Sequence, residues 1–449
     1  MIDGVKAFGR WGVGALVLSS SAFAQDAAGP RRLTIAEAVE TALKNNPSIQ
    51  AAEAEVRAAG AAVSLARSKK GPALSASGFA TAGNTAPIYT SPPGTDPMAY
   101  MPVQTGPYWA ANLTLMLPLY TGGSLEAGIG AASEEQRAML AELHEMRSET
   151  ALMAHDAYLM VLRAEAMTKA MEAEVRANEE MVRIARAQLA AEAGIEATVR
   201  RAEAELAMAN RELTSARNER EKALVDLRTT MGVEPAAEIE PTGALVHEPS
   251  PLDLDELLRI AGERRGTLLR AKARLRAAEQ EVRAMEGQLK PRVYGMAMAD
   301  AMDDPMMKGG ASVGIVASFP VFDSGMRRSE VQRMRAMRDR ARAALKTEEL
   351  RVAGDIRKAW LDVRTAEANA RSAEAGVRSA EAAYNVMRIR VEAGKGIQVE
   401  LLDALKALTQ ARSDHAQALY EHEHSIARLR QAAGLTPGVT ETEKESTRQ

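Results

Sequence analysis

Residues 117–123 read Leu-Pro-Leu-Tyr-Thr-Gly-Gly, and residues 319–325 read Phe-Pro-Val-Phe-Asp-Ser-Gly. Pro118 and Pro320 set an offset of 202, which then holds without a gap. Tyr158 falls on Trp360, Gly194-Ile195 on Gly396-Ile397, Gly232 on Gly434 and Pro235 on Pro437. Upstream, Leu33–Pro72 aligns with Leu252–Pro291 at an offset of 219. Each half thus has a leading helix, a Pro, a variable middle, a turn of Pro, aromatic and Gly, and a very long helical exit. Solenoid units repeat at about 20–50 residues, so repeats of this size are whole structural halves. Duplication lets one chain supply two equivalent pieces of a ring.

Pro118 and Pro235 bracket a stretch without proline, as do Pro320 and Pro437. Gly123 to Ala193 reads as one helix with few breakers, and 70 residues of helix reach about 105 Å. Globular helices run about 8–20 residues, so this length predicts a coiled-coil-like rod. Turns follow at Ala193-Gly194-Ile195 and at Gly394-Lys395-Gly396-Ile397, and a second helix returns from each. The first repeat is expected over 25–235: helix 33–70, strands 72–83 and 108–119, long helix 123–192, return helix 198–232. A linker spans 236–251. The second repeat covers 252–437: helix 252–289, strands 291–301 and 310–321, long helix 324–392, return helix 398–433. A disordered tail is expected over 438–449.

The zones 72–121 and 291–323 hold Phe79, Tyr89, Tyr100, Tyr108, Trp109, Tyr120, Tyr294, Phe319 and Phe322 in a chain that is only 4% aromatic. They also alternate. Trp109, Ala111, Leu113, Leu115 and Leu117 are apolar with Asn112 and Thr114 between them, and Ala311, Val313, Ile315, Ala317 and Phe319 match them at the same offset. Period-two alternation over about ten residues with aromatic ends is the signature of a transmembrane β-strand; a soluble hairpin is the alternative. Tyr108, Trp109, Tyr120, Phe319 and Phe322 are the candidate membrane-interface aromatics. Four strands per chain cannot close a barrel, and lipid tolerates no open edge. Three chains would give twelve, an even count within the range of such barrels.

Lys6 and Arg10, the apolar run Trp11–Leu18 and Ala22-Phe23-Ala24 predict a secretory signal over 1–24. There is no Cys, which excludes a disulfide scaffold and a lipid-anchored mature end. A net charge of −3 gives no reason to expect nucleic acid. Apolar residues make up 46% of the chain, much of this Ala, which favours close helix-on-helix contact over a core of large side chains.

This ordered set of features resembles the TolC-like outer membrane efflux proteins over roughly residues 33–437. The opening Leu33-Thr34-Ile35-Ala36-Glu37-Ala38-Val39 with Asn45-Asn46-Pro47 is also typical of that family's first helix. The resemblance implies a mainly α protein with transmembrane β: a homotrimer whose strands form a 12-strand barrel in the outer membrane of a Gram-negative cell, continuous with a long periplasmic helical barrel. It implies no enzyme activity and no cofactor or metal. The tube would receive cargo from an inner-membrane transporter through a periplasmic membrane-fusion adaptor, for efflux or type I secretion. By the same resemblance, Ala193, Gly194, Ile195, Lys395, Gly396 and Ile397 are adaptor-docking tips, although a turn needing Gly at a positive φ accounts for them equally. Glu400 and Asp403, spaced i, i+3 on one helix face, match the family's pore-entrance acidic ring. The positions of a Tyr–Arg latch found in some members hold Val391 and Gly396, so that latch is not carried over.

The stretch Met296, Met298, Met302, Met306, Met307 with Asp300, Asp303 and Asp304 offers a soft-metal site, since thioethers suit Cu(I), but is expected to be an exposed loop; His415, His422 and His424 offer a metal site or proton relay but are expected on a solvated helix face. Two rival functions stay open. A periplasmic adaptor would carry a single helical hairpin flanked by β-domains, against the duplication; a secreted enzyme would need a compact pocket.

Overall fold

The structure is a computed structural model that describes residues 31–81, 108–192, 194–246, 253–302, 309–393 and 395–438. The predicted signal segment 1–24, Ala193 and all but the first residue of the predicted tail lie outside the described residues.

A short strand β1 (Arg31–Leu33) opens the described chain and pairs in parallel with β4 (Ile239–Pro241). Between them lie α1 (Ile35–Asn45), α2 (Pro47–Ser68), strands β2 (Ala73–Thr81) and β3 (Tyr108–Tyr120), the long α3 (Ser124–Ala190) and its return α4 (Glu196–Thr230). The second half repeats this with α5 (Leu254–Arg264), α6 (Gly266–Gly287), β5 (Arg292–Met302), β6 (Ala311–Ser318), α7 (Met326–Glu392) and α8 (Gln398–Ala432). The long helices α3 and α7 have 67 residues each and the return helices 35 each. Sixty-seven residues of helix span about 100 Å.

The leading helices differ from the sequence expectation, since 33–70 and 252–289 are each broken once. Asn46 stops α1 and caps α2, accepting from the Ser48 N–H at 2.9 Å with Pro47 at the first helical position. The second break, at Arg265, has neither signal. Both break residues instead bond to the ends of the return helices. Asn46 Nδ2 donates to the Thr230 carbonyl at 3.1 Å, and Arg265 donates to the Gln431 carbonyl while pairing with Glu145 at 3.2 Å. Tertiary contact sets the bend, and the duplication keeps it at matched places. The segment expected as a plain linker over 236–251 contains β4.

Two equivalent cores lie where these elements meet. The first gathers Leu33, Val39, Tyr158, Val161, Leu224 and Leu227; the second gathers Leu257, Ile356, Val363, Ile426 and Leu429. Leu224 and Leu227 match Ile426 and Leu429 at the offset of 202. In the first core the Tyr158 hydroxyl reaches the Leu33 and Thr242 carbonyls at 2.8 and 2.5 Å and accepts from the Thr242 N–H at 2.9 Å. One buried side chain thereby ties the β1–β4 strap to α3. Its counterpart Trp360 has Arg364 over its ring at 4.9 Å.

Away from the cores the helices lie side by side. Towards the helical tips the order is α4, α3, α8, α7; towards the strands it is α2, α3, α6, α7. Small residues such as Ala138, Ala151, Ala154 and Ala185 are buried along α3 and permit this close approach. The four long strands form one antiparallel sheet in the order β2-β3-β5-β6. Helices and sheet alike therefore form an open layer with two free flanks, α2, α4 and β2 on one side and α7 and β6 on the other.

Candidate functional site: sheet, tips and acidic helix turn

The sheet register sorts its residues onto two faces. Leu113 lies opposite Ala76 on β2 and Ala299 on β5, and Ala297 lies opposite Val313 on β6. This face also carries Leu74, Trp109, Leu115, Leu117 and Ile315, exposed by 36% to 72%. The other face carries Ser75, Ser77, Asn112, Thr114, Asp300 and Ser312. On it Asn112 Nδ2 donates to Asp300 Oδ1 at 2.5 Å, and Thr114 Oγ1 donates to Asn112 Oδ1 at 2.6 Å. An apolar face without cover opposite a hydrogen-bonded polar face is the pattern that strands of membrane barrels carry.

Of the interface aromatics, Tyr108 opens β3; Trp109 is 45% exposed and Tyr120 50%, and Phe319 and Phe322, just after β6, are 57% and 87% exposed. Eleven residues separate Trp109 from Tyr120, about 37 Å of strand, which at a tilt near 45° covers about 26 Å of depth. That equals the apolar band of an outer membrane barrel, about 25 Å. The residues expected as an exposed Met loop are in part strand, since Met296, Met298 and Met302 belong to β5. Met306 and Met307 lie outside the described residues.

At the far end, Ile195 and Ile397 project with 67% and 62% exposure. Thr198 and Arg201 of α4 share a groove with Ile397, Val399 and Leu402 of α8, so the two tips are brought together. The expected reason for the tip glycines is corrected. Neither Gly194 nor Gly396 has a positive φ; among the described residues of the two tips the left-handed one is Glu192 at 57°. Glycine is needed for close approach instead: a Cβ on Gly396 would meet Val391 Cγ2 at 2.9 Å, and one on Gly194 would meet Gln188 Cβ at 3.2 Å.

Glu400 and Asp403 are both exposed, on the first turns of α8. Their neighbours Leu401, Leu402 and Leu405 are buried against Met181 and Val391, which anchors the helix and aims the two carboxylates away from the rod. A carboxylate in a first turn is also favoured by the helix dipole. One turn on, Lys406 pairs with Glu205 of α4 at 2.8 Å. Val391, in place of a latch tyrosine, is 6% exposed within this apolar cluster.

A polar cluster between α3 and α8 was not foreseen. His424 Nδ1 lies 2.7 Å from Asp156 Oδ1, the Tyr420 hydroxyl donates to the same oxygen at 2.8 Å, and the Arg163 guanidinium sits 5.0 Å over the Tyr420 ring. Burial works against the Asp156 charge, but the bonds from His424 and Tyr420 prevail and hold its carboxyl below the usual range. Burial, then the bond to Asp156, pushes the Tyr420 phenol up. His422 is fully buried. The solvated face expected for His422 and His424 is thus a helix–helix contact. Residues 264 apart form it, and no local pattern announces that.

Among the described residues no helix is long and apolar enough to cross a membrane, and no group of three or more His, Cys, Asp or Glu could hold a metal ion. No curated protein sequence matches the chain. Solved structures do. The outer-membrane channel OprN superimposes with a TM-score of 0.76 at 22% identity, covering 90% of this chain and 91% of that one. VceC of Vibrio cholerae gives 0.75 at 20%, covering 89% and 96%, and the CmeC outer membrane channel of Campylobacter jejuni gives 0.76 at 17%, covering 92% and 88%. At these identities the likeness establishes the fold. The family described as outer membrane efflux protein matches residues 38–233 and 257–435. With most of both repeats inside that match, the chain belongs to the TolC-like outer membrane efflux protein family.

Proposed function

We propose that three copies of this chain close into an outer membrane channel that conducts cargo out of the periplasm. The observation that carries the reading is the four-stranded sheet, apolar and exposed on one face, polar on the other, with both edges open. Unpaired edges are not tolerated in lipid, so β6 of one copy must meet β2 of the next. The helical layer has matching flanks. Leu350, Leu361, Val386 and Ile389 stand exposed on α7, and Leu65 and Met208 on α2 and α4. The same closure buries both sets. Three sheets of four strands make a twelve-strand barrel, and the α3 and α7 rods continue it into the periplasm.

The tube itself does no chemistry. Its tips, around Gly194-Ile195 and Lys395-Gly396-Ile397, dock a periplasmic adaptor that connects it to an inner-membrane transporter. Glu400 and Asp403 of three copies form a cation-attracting ring at the tip end. Light scattering in detergent tests the assembly: the account expects three times the chain mass, and a monomer soluble without detergent would sink it. Replacing Gly396 by Pro, and separately Glu400 and Asp403 by Ala, tests the tips and the ring. The first should abolish adaptor capture by a trimer that still forms, and the second should shift the reversal potential toward zero in a salt gradient.

A further inference from the structure

The polar face of the sheet has one feature that a wet lumen does not explain. Met116 of β3 lies opposite Met296 of β5, and Met298 lies opposite Thr114, the neighbour of Met116 on the same face. Cβ atoms of residues paired across strands are about 4.5–5.5 Å apart and diagonal pairs about 7–8 Å. Methionine has three rotatable side-chain bonds and spans such gaps. The register therefore places three methionines on one patch of the face that also carries Asn112, Thr114 and Asp300. Met302 continues the row opposite Ala110. The usual role of methionine is to fill irregular gaps in a core. Here no helix packs broadly across the sheet among the described residues, and Met116 is 40% exposed. Met296 and Met298 are half-buried on the sheet, but no helix core lies at this place for the side chains to fill.

Resting on the channel reading, we propose that Met116, Met296 and Met298 form a lumenal binding site for a soft monovalent cation of the Cu(I) and Ag(I) class. Thioethers select such cations over hard ones. The Asp300 carboxylate, two residues beyond Met298 on the same face, adds attraction for positive charge. A neutral thioether set holds the ion less firmly than thiolates do. That suits a conduit, where binding must favour arrival and still permit release. The chain has no Cys, so no thiolate elsewhere competes for the ion. Three copies place three such patches around one lumen, which names soft cations as a cargo class.

The test uses the detergent-solubilised full chain and silver nitrate in chloride-free buffer, followed by calorimetry. The wild type should show a saturable site per chain. The triple variant Met116→Leu, Met296→Leu, Met298→Leu keeps apolar volume and should bind Ag(I) at least about tenfold more weakly. A control, Met326→Leu with Met337→Leu on exposed α7 positions, should bind as the wild type does. Assembly mass and planar-bilayer conductance are recorded for all three. Equal silver binding by the wild type and the triple variant overturns the site, and with conductance intact it leaves the channel reading standing. Absent conductance with silver binding still lost only in the triple variant keeps the thioether site and overturns its placement in a lumen.

Discussion

Arginine placed at Leu113 or at Thr114 separates the two faces of the sheet by one residue. Leu113 sits mid-strand in β3, 44% exposed, between Ala76 and Ala299. Thr114 points to the opposite face, between Ser75 and Met298, and donates to Asn112. If the leucine face meets lipid, Leu113→Arg costs about 2–4 kcal/mol per chain near the bilayer midplane. That is about 30- to 900-fold in an equilibrium constant per chain, and about 6–12 kcal/mol over three copies. Thr114→Arg loses one hydrogen bond, about 1 kcal/mol, and places its charge in water. The assay is the urea midpoint of the trimer reconstituted in lipid, with the fraction assembled in the outer membrane as a second readout. Leu113→Arg should fail to assemble or unfold far earlier, and Thr114→Arg should stay close to wild type. If Thr114→Arg were the more damaging, the faces would be reversed. A small and equal effect of both would mean that the sheet lies in water.

Tyr158→Phe should lower the thermal midpoint, losing about 1 kcal/mol, because the hydroxyl's bonds to the Leu33 and Thr242 carbonyls are lost while the Thr242 N–H keeps its bond to the Leu33 carbonyl; an unchanged midpoint would show that the β1–β4 strap does not need it. Gly232→Ala should destabilise more than helix propensity explains, since Gly232 has φ 67° and a Cβ there would meet the Asn45 carbonyl oxygen at 2.9 Å. Chemical denaturation of this variant and of Gly434→Ala, where a Cβ would meet Arg264 C at 2.8 Å, should show losses of similar size. Burial holds the His155 imidazole down at about 4, against 6.5 for a free one. Its folded pKa is depressed, so the unfolded chain binds the extra proton between those values. The contribution is then fully present above pH 6.5 and falls by roughly 3 kcal/mol on acidification to pH 4. His155→Leu should flatten the fall of the thermal midpoint across that window, and an identical slope in the variant would refute the assignment.

Much of the architecture was legible because it is periodic. The alternation of Trp109, Leu113 and Leu115 with Asn112 and Thr114 assigned the two faces of β3, and the pairing then transferred that assignment to β2, whose own Ser and Ala residues say little. The shared offset made α3 and α7 rods of one length. The bend at Asn46-Pro47 was missed although it carries a local signal, a capping Asn before Pro. The matching bend at Arg265 carries none, because it depends on Gln431 and Glu145, far away in the chain. The same non-locality hid the contact of Asp156 with Tyr420 and His424. At the tips the glycines were recognised for the wrong physical reason, as the crowding of Gly396 by Val391 emerges only once the turn is folded. Glu400 and Asp403 were named through the resemblance alone; the helix geometry adds that both are exposed, away from the face anchored by Leu401, Leu402 and Leu405.

Single-channel recording in planar bilayers tests the central claim most directly. The purified protein should insert in discrete conductance steps of one size, cation-selective in a salt gradient, with selectivity reduced in the Glu400→Ala, Asp403→Ala variant. Purified, folded protein that produces no steps in lipid, and that stays in solution as a monomer without detergent, would contradict the account.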